Sequence, residues 1–417
     1  MTIMKKLSYL FATMILSAGV TAFTACSKDD CSCDSDNGTL VVGIPSDKDA
    51  TANPKVDPDD VNTVLPNLNY TVTTENGHSV IRLDFTGVRD PYTGDWLRLY
   101  GTGSNKQNIW ISIDDVAKGF TVVNTIDEQS GQTNPAVDLV FLVDNSSSMS
   151  QEADAIYRDI VDWAQQLSRT LDVRFACVGY GGFVSGAINL TTAAQLENWL
   201  EYKDWQSSVS GIMRTRGFVG SDADRLYQAS LLDQYRVVGS SYTYTSMYAP
   251  DYYECGVVAL RYANDLFNWR NGANRVYVNI TDEPNQPNGK DNDFSTQWVK
   301  NNWTATQGTI HTVYTQNPSW ANTYQNYLDQ NYPWDLSVYT DGTMLFTNSN
   351  FKDNDGKDVK LSDLPVSGAL QNSYIIRFTN VETLFDNLSH RVHITVRSNS
   401  ANGEIIADKT FNVMFNK

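Results

Sequence analysis

Histidine and cysteine are scarce in this chain, four of one and five of the other in 417 residues. Cys31 and Cys33 lie in the polar stretch "DDCSCDSDNG", where no further His or Cys completes a zinc set. Zinc and copper chemistry is disfavoured by that shortage of soft ligands. Cys177 in "VRFACVGY" and Cys255 at a helix start read as small buried hydrophobes, so no disulfide framework is expected. Positive charge is short as well. Lys and Arg total 31 against 48 acids, a net charge of −17, and such a surface repels nucleic acid. It suits extracellular solubility and divalent cations instead. No Ser-His-Asp order, paired-acid spacing or phosphate loop is present, so no enzyme activity is expected. None of His78, His311, His390 and His393 falls near the Asp-Ser segment at residues 144–148, and the last three read as structural. Low-complexity tracts are absent, and a chain of this length holds two or three domains with their own cores.

A long apolar run occurs at the start, in "MTIMKKLSYLFATMILSAGVTAFTAC". Lys5 and Lys6, the apolar stretch and the small residues before Cys26 read as a secretion signal rather than a membrane span. The ending "FTAC" resembles a bacterial lipoprotein cleavage box, which implies that residues 1–25 are removed and Cys26 is lipidated. The following "SKDD" resembles the Lys-acid-acid tag of surface lipoproteins in the Bacteroides group. That likeness implies a lipid anchor in the cell outer membrane, with the protein facing the exterior. Residues 26–62, polar and without a hydrophobic period, read as a flexible tether.

Residues 63–136 carry β signals: "YTVTTENG", "SVIRLDFTG", "DWLRLYG", "NIWISIDD" and "GFTVVNTID" alternate between turn residues. Residues 137–365 change character. The apolar run "DLVFLVD" precedes a segment in which Ile156, Ile160, Val161, Ala164, Leu167 and Leu171 recur at helical spacing. Further strands ("VRFACVGYGG", "RVYVNITD", "TIHTVYTQ") alternate with helices ("AAQLENWLEY", "ECGVVALRYANDLFNWR", "STQWVKNNWTA"). Apolar strands separated by helices predict an α/β fold with a doubly wound, mostly parallel sheet. Residues 366–417 return to β alternation. Neither flank is large enough to stand alone, so one β-sandwich built from both, with the α/β domain inserted, is expected.

The α/β segment carries the chemistry. Asp144 ends the first parallel strand and Asp282 ends "RVYVNITD", and ligand sites in open parallel sheets form at that edge. Two such carboxylates repel one another unless a cation lies between them. Asp144, Ser146 and Ser148 share an Asp-x-Ser-x-Ser spacing that can aim a carboxylate and two hydroxyls at one centre. Hydroxyl, carboxylate and water suit Mg²⁺, and Mn²⁺ and Ca²⁺ also take oxygen ligands.

The stretch "DLVFLVDNSSSMS" resembles the opening motif of von Willebrand factor type A domains, whose metal-ion-dependent adhesion site uses this spacing. The resemblance covers about residues 136–365. It implies that Asp144, Ser146 and Ser148 form the first motif and that Asp282 of "NITDEPN" is the third. The middle ligand has two candidates, Glu254 in "APDYYECGVVALRYA" and Thr245. Glu254 matches the acid of a D-x-x-E-x-G setting in integrin β subunits, whose metal-binding domain also sits within a sandwich. Integrin β carries paired acids after the serines; here Gln151 and Glu152 stand there, so a second cation site is not expected.

The resemblance implies a surface adhesin that grips a carboxylate of an extracellular protein through the cation. A pilus-tip or surface-assembly subunit is the alternative. Between about residues 204 and 253, Tyr242, Tyr244, Tyr248, Tyr252 and Tyr253 alternate with small residues, a composition shared by binding loops and by loops packed on a sheet.

Overall fold

The computed structural model describes residues 41, 43–125, 135–146, 148–150, 152–180, 184–201, 254–287, 293–317 and 331–417. Cys26, Thr245 and the five tyrosines named above lie outside these residues.

β1 (Leu68–Glu75) and β2 (His78–Phe85) form a hairpin whose two linking residues, Asn76 and Gly77, both take positive φ. That is the geometry a two-residue turn between twisted strands favours. β3 (Ile109–Ile113), β4 (Val116–Ala117) and β5 (Phe120–Asn124) follow. The stretch "DWLRLYG", expected as a strand, is irregular apart from one bridge between Arg89 and Trp96. Side-chain amides take the place of a ladder there: Asn124 bonds both backbone groups of Leu99, and Asn108 accepts from Tyr100 N and donates to Arg98 O.

β6 (Val137–Asp144) is buried at all eight positions and leads to helix α1 (Ala153–Leu167). Then come β7 (Val173–Tyr180), β8 (Val184–Thr191), α2 (Ala193–Glu201), α3 (Gly256–Leu266), β9 (Asn274–Thr281), α4 (Thr296–Asn302), β10 (Thr309–Tyr314), α5 (Asp335–Tyr339), β11 (Met344–Phe346) and α6 (Val366–Gln371). Six strands make one sheet in the order β11-β10-β9-β6-β7-β8, parallel throughout except for the β7–β8 pair. Both faces of this sheet are covered. On one, Ile156, Ile160 and Trp163 of α1 pack against Phe141 and Val143, with the Trp163 and Phe141 rings edge to face at 5.9 Å. On the other, α3 packs against Val140, Leu142 and Tyr277. α3 ends at Leu266, short of the expected Arg270, because Asn268 N turns away to bond Asn189 Oδ1.

β12 (Tyr374–Phe378), β13 (His390–Ser400) and β14 (Gly403–Val413) close the chain. Two four-stranded antiparallel sheets, β1-β2-β12-β5 and β14-β13-β3-β4, each combine strands from before and after the α/β segment. Leu83, Phe85, Ile111, Phe378, Ile394 and Phe411 from the two sheets share one apolar cluster. α6 sits where β structure was expected to resume; Val366 and Leu370 pack in the core beside α1, so the return begins at Tyr374.

The expected tether also ends earlier than residue 62. Asp47 pairs with the buried Lys118 at 2.6 Å, and the Asn53 amide donates to Trp110 O, His393 O and Thr395 Oγ1. Asn62 N and Thr63 N donate to Ile406 O. Polar side chains fix this segment to the sheet where no apolar period announces it.

His390 is 7 % exposed and lies between Asp114 (2.7 Å) and Asp386 (3.1 Å). Burial opposes its charged form, but the hydrogen bonds its ring donates to the two carboxylates outweigh that and hold its pKa above the ordinary 6.5. A base with a raised folded pKa lends stability that is complete below the unfolded value and disappears as pH rises through the folded one. Urea unfolding of His390→Gln at a series of pH values is expected to show less loss of stability above pH 6.5 than the parent chain.

Candidate functional site

β6 and β9 are parallel neighbours with Val143 opposite Ile280, so both strands end at one edge of the sheet. Asp144 is the last residue of β6, and Asp282 directly follows Thr281, the last of β9. The two acids are 1 % and 3 % exposed. Asp144 is held through both oxygens: Ser146 N donates to Oδ1 at 2.9 Å and the Thr281 hydroxyl to Oδ2 at 2.8 Å. Ser146 Oγ and Ser148 Oγ stand 2.9 Å apart, and Ser148 Oγ donates to Asp282 Oδ1 at 3.1 Å. The structure thus brings Asp144, Ser146, Ser148 and Asp282 into one hydrogen-bonded run.

Glu254 lies just ahead of α3 and joins them from a third segment. Its carbonyl accepts from Gln286 N at 2.9 Å, and its Oε2 accepts from Gln286 Nε2 at 3.4 Å. Burial, then the negative charges of Glu254 and Asp282, hold the Asp144 carboxyl well above the usual carboxylate range. Burial also raises Asp282, and burial with repulsion from Asp282 raises Glu254. Sequence reasoning missed a fourth acid. Burial and the charges of Asp282 and Glu254 push Glu283 up to about 7. Its place directly after Asp282 in "NITDEPN" was the available signal.

A close approach keeps Glu254 at this edge. A Cβ on Gly256 would lie 3.0 Å from Asn279 Oδ1 and 3.2 Å from the Tyr180 hydroxyl, so glycine lets the first turn of α3 lie on β9 and β7. The Tyr180 hydroxyl donates to Asn279 Oδ1 at 2.8 Å beneath it. Asn285, three residues past Asp282, caps α3 from outside by accepting from Val257 N at 3.0 Å.

These are hard oxygen donors in a buried, repelling cluster, and none of the four acids forms an ion pair among the described residues. Such a set fits a divalent cation of the Mg²⁺ type. Among the described residues no three His, Cys, Asp or Glu side chains are gathered tightly enough to hold a metal by themselves. A cation here would have to draw on the hydroxyls of Ser146 and Ser148 and on water. His311, His390 and His393 do not belong to the cluster: His311 bonds Thr343, His390 its two aspartates, and His393 Asp408.

No family model and no curated protein matches the chain. Among solved structures it is similar to the ArnB paralogue VWA2 of Sulfolobus acidocaldarius, at 8% identity over 85% of this chain and 76% of that one, with a TM-score of 0.28. The PilB minor pilin of Streptococcus sanguinis shares 10% identity over 74% of this chain and 76% of its own, with a TM-score of 0.31. The pilus adhesin SpaC of Lactobacillus rhamnosus GG, in its open conformation, shares 10% over 92% of this chain and 51% of its own, with a TM-score of 0.29. At such TM-scores the fold rests on the strand order described above rather than on these likenesses.

Proposed function

We propose that this chain is a von Willebrand factor A-like binding protein of the cell surface that grips an acidic group of an extracellular protein through a Mg²⁺ ion. The observation that carries the proposal is the unbroken run of hydrogen bonds from Asp144 through Ser146 and Ser148 to Asp282, across the ends of two parallel strands. Ser146, Ser148 and Asp282 would hold the ion, with Asp144 and Glu254 behind them. When bound, the ion supplies an open coordination position for a partner's carboxylate. Thr281 keeps Asp144 oriented, and Gln286 keeps Glu254 against the cluster. The two antiparallel sheets would form the sandwich into which the α/β part is inserted, displaying the acidic edge.

Calorimetric titration of Mg²⁺ into the full chain tests the site. Heat is expected with the parent chain and is expected to vanish with Asp282→Ala; equal affinity in both would end the assignment. Anchoring through Cys26 is tested apart from it. Cys26→Ala is expected to move the protein from the membrane fraction to the soluble one, and a membrane-bound variant would refute the lipid anchor. Display of the α/β part on a β carrier would equally serve a pilus-tip or surface-assembly subunit. Polymers of the purified chain favour that second reading, and Mg²⁺-dependent attachment of monomers favours adhesion.

A further inference from the structure

A cavity of about 300 Å³ lies at the other end of the parallel sheet, between its lower edge and the antiparallel sheets. It reaches Asn274 and Val276 at the start of β9 and Thr309 at the start of β10, far along the strands from Asp144 and Asp282. The two halves of the molecule meet around it through polar contacts. Asn67 Nδ2 donates to Gly308 O and Thr340 O, the Asn69 amide to Ala273 O, and Lys409 pairs with Asp341. Its size is at the lower end of small-molecule sites.

The walls combine an apolar body with donors that lack acceptors. Leu68, Trp96, Val276, Val366 and Leu370 supply the apolar part. His311 is 8 % exposed, and its Nδ1 accepts from Thr343 N at 3.1 Å, which places the proton of the neutral ring on Nε2. That N–H has no partner among the described residues, and His311 and Thr343 both line the cavity. Asn274, 5 % exposed and also in the wall, has an Nδ2 with no partner among the described residues. The Asn274 amide is a buried donor left in this condition, which is costly, and an acceptor brought by a ligand removes the cost. The charges favour an anion. Arg89 and Arg275 line the cavity without an ion pair among the described residues, whereas the lining acid Asp341 is already held by Lys409.

We propose that this cavity binds a small carboxylate with an apolar body, its carboxylate accepting from His311 Nε2 and its body lying against Leu68, Val276 and Leu370. A bound acid would bridge the parallel sheet and the antiparallel sheets and hold them in one arrangement. The site is separate from the cation cluster and stands or falls independently of it.

The test uses octanoate as probe and 1-octanol as its uncharged counterpart, titrated into the full chain by calorimetry in the presence of a chelator. Octanoate is expected to bind at least about tenfold more tightly than octanol, as a hydrogen bond to a charged acceptor at a buried donor implies. Val64→Trp, at a half-exposed position of the cavity wall, is expected to weaken octanoate about tenfold or more by filling the space. His311→Phe keeps a ring but removes the donor, and is expected to abolish the preference for octanoate over octanol. Absence of octanoate binding, equal affinity for the two probes, or binding unchanged by Val64→Trp would each overturn the proposal. The wall position Val64 keeps the test decisive even where His311→Phe fails to fold.

Discussion

Asp144→Asn is expected to raise the melting temperature of chelator-treated protein while lowering its affinity for Mg²⁺ by about 100-fold, the upper end for groups that support a metal site. The two effects have one cause. Asp144 is buried beside Glu254 and Asp282, and its folded pKa lies well above the usual range. For an acid raised in this way, the folded state binds the proton more tightly than the unfolded chain. Stability is then greatest below the unfolded pKa and is lost as pH rises through the folded value. At neutral pH Asp144 without a cation therefore opposes folding, and an amide of the same shape removes that opposition. The variant should also lose part of the stabilisation that the parent chain gains on acidification. Scanning calorimetry with chelator, then with Mg²⁺, reads both effects; a lower melting temperature under chelator would show that Asp144 supports the fold rather than strains it.

The second large effect belongs to Arg270. Its Nε donates to Asp138 Oδ1 at 2.7 Å, its backbone N–H to Asp138 Oδ2 at 2.9 Å, and its guanidinium reaches Val137 O and Asp172. Asp138, near the start of β6, is fully buried. Desolvation raises its pKa despite the Arg270 charge that works to lower it. Arg270→Ala would leave this carboxylate buried with only a backbone partner close by, at a cost of about 3–5 kcal/mol. Urea unfolding at pH 7 is expected to show that loss, and a smaller one near pH 4, where the stranded acid takes up a proton. Equal losses at the two pH values would assign the effect to lost packing of the arginine stem.

The parts of this architecture that were legible in the sequence are those whose physics is local. A strand buried on both faces has to be apolar along its whole length, so "DLVFLVD" announced β6, and the abrupt change to "NSSSMS" announced where it ends. The helical spacing of Ile156, Ile160 and Ala164 announced α1 for the same reason. Strand β8 was missed because "VSGAINLT" holds Gly, Ser and Asn among its apolar residues and borrows its stability from pairing with β7. "DWLRLYG" was read as a strand because its alternation is genuine; Asn108 and Asn124, distant in sequence, take its backbone groups instead. Residues 44–62 read as unstructured because single side chains such as Asn53 dock them, and composition carries no trace of that. Glu283 became visible only through burial, which a sequence states indirectly at best.

β5 and β12, through which the chain enters and leaves the α/β part, lie side by side and antiparallel, paired from Phe120 with Phe378 to Asn124 with Tyr374. Traction applied at the acidic edge by a captured partner would reach both strands together. Because both would be drawn from the same end, the ladder that resists is the one between β12 and β2, paired from Tyr374 with Phe85 to Phe378 with Ile81, whose bonds would have to shear as a set instead of unzipping one after another. A grip located on the α/β part would thereby be backed by a clasp at its base, whose strength is independent of how firmly a partner is held.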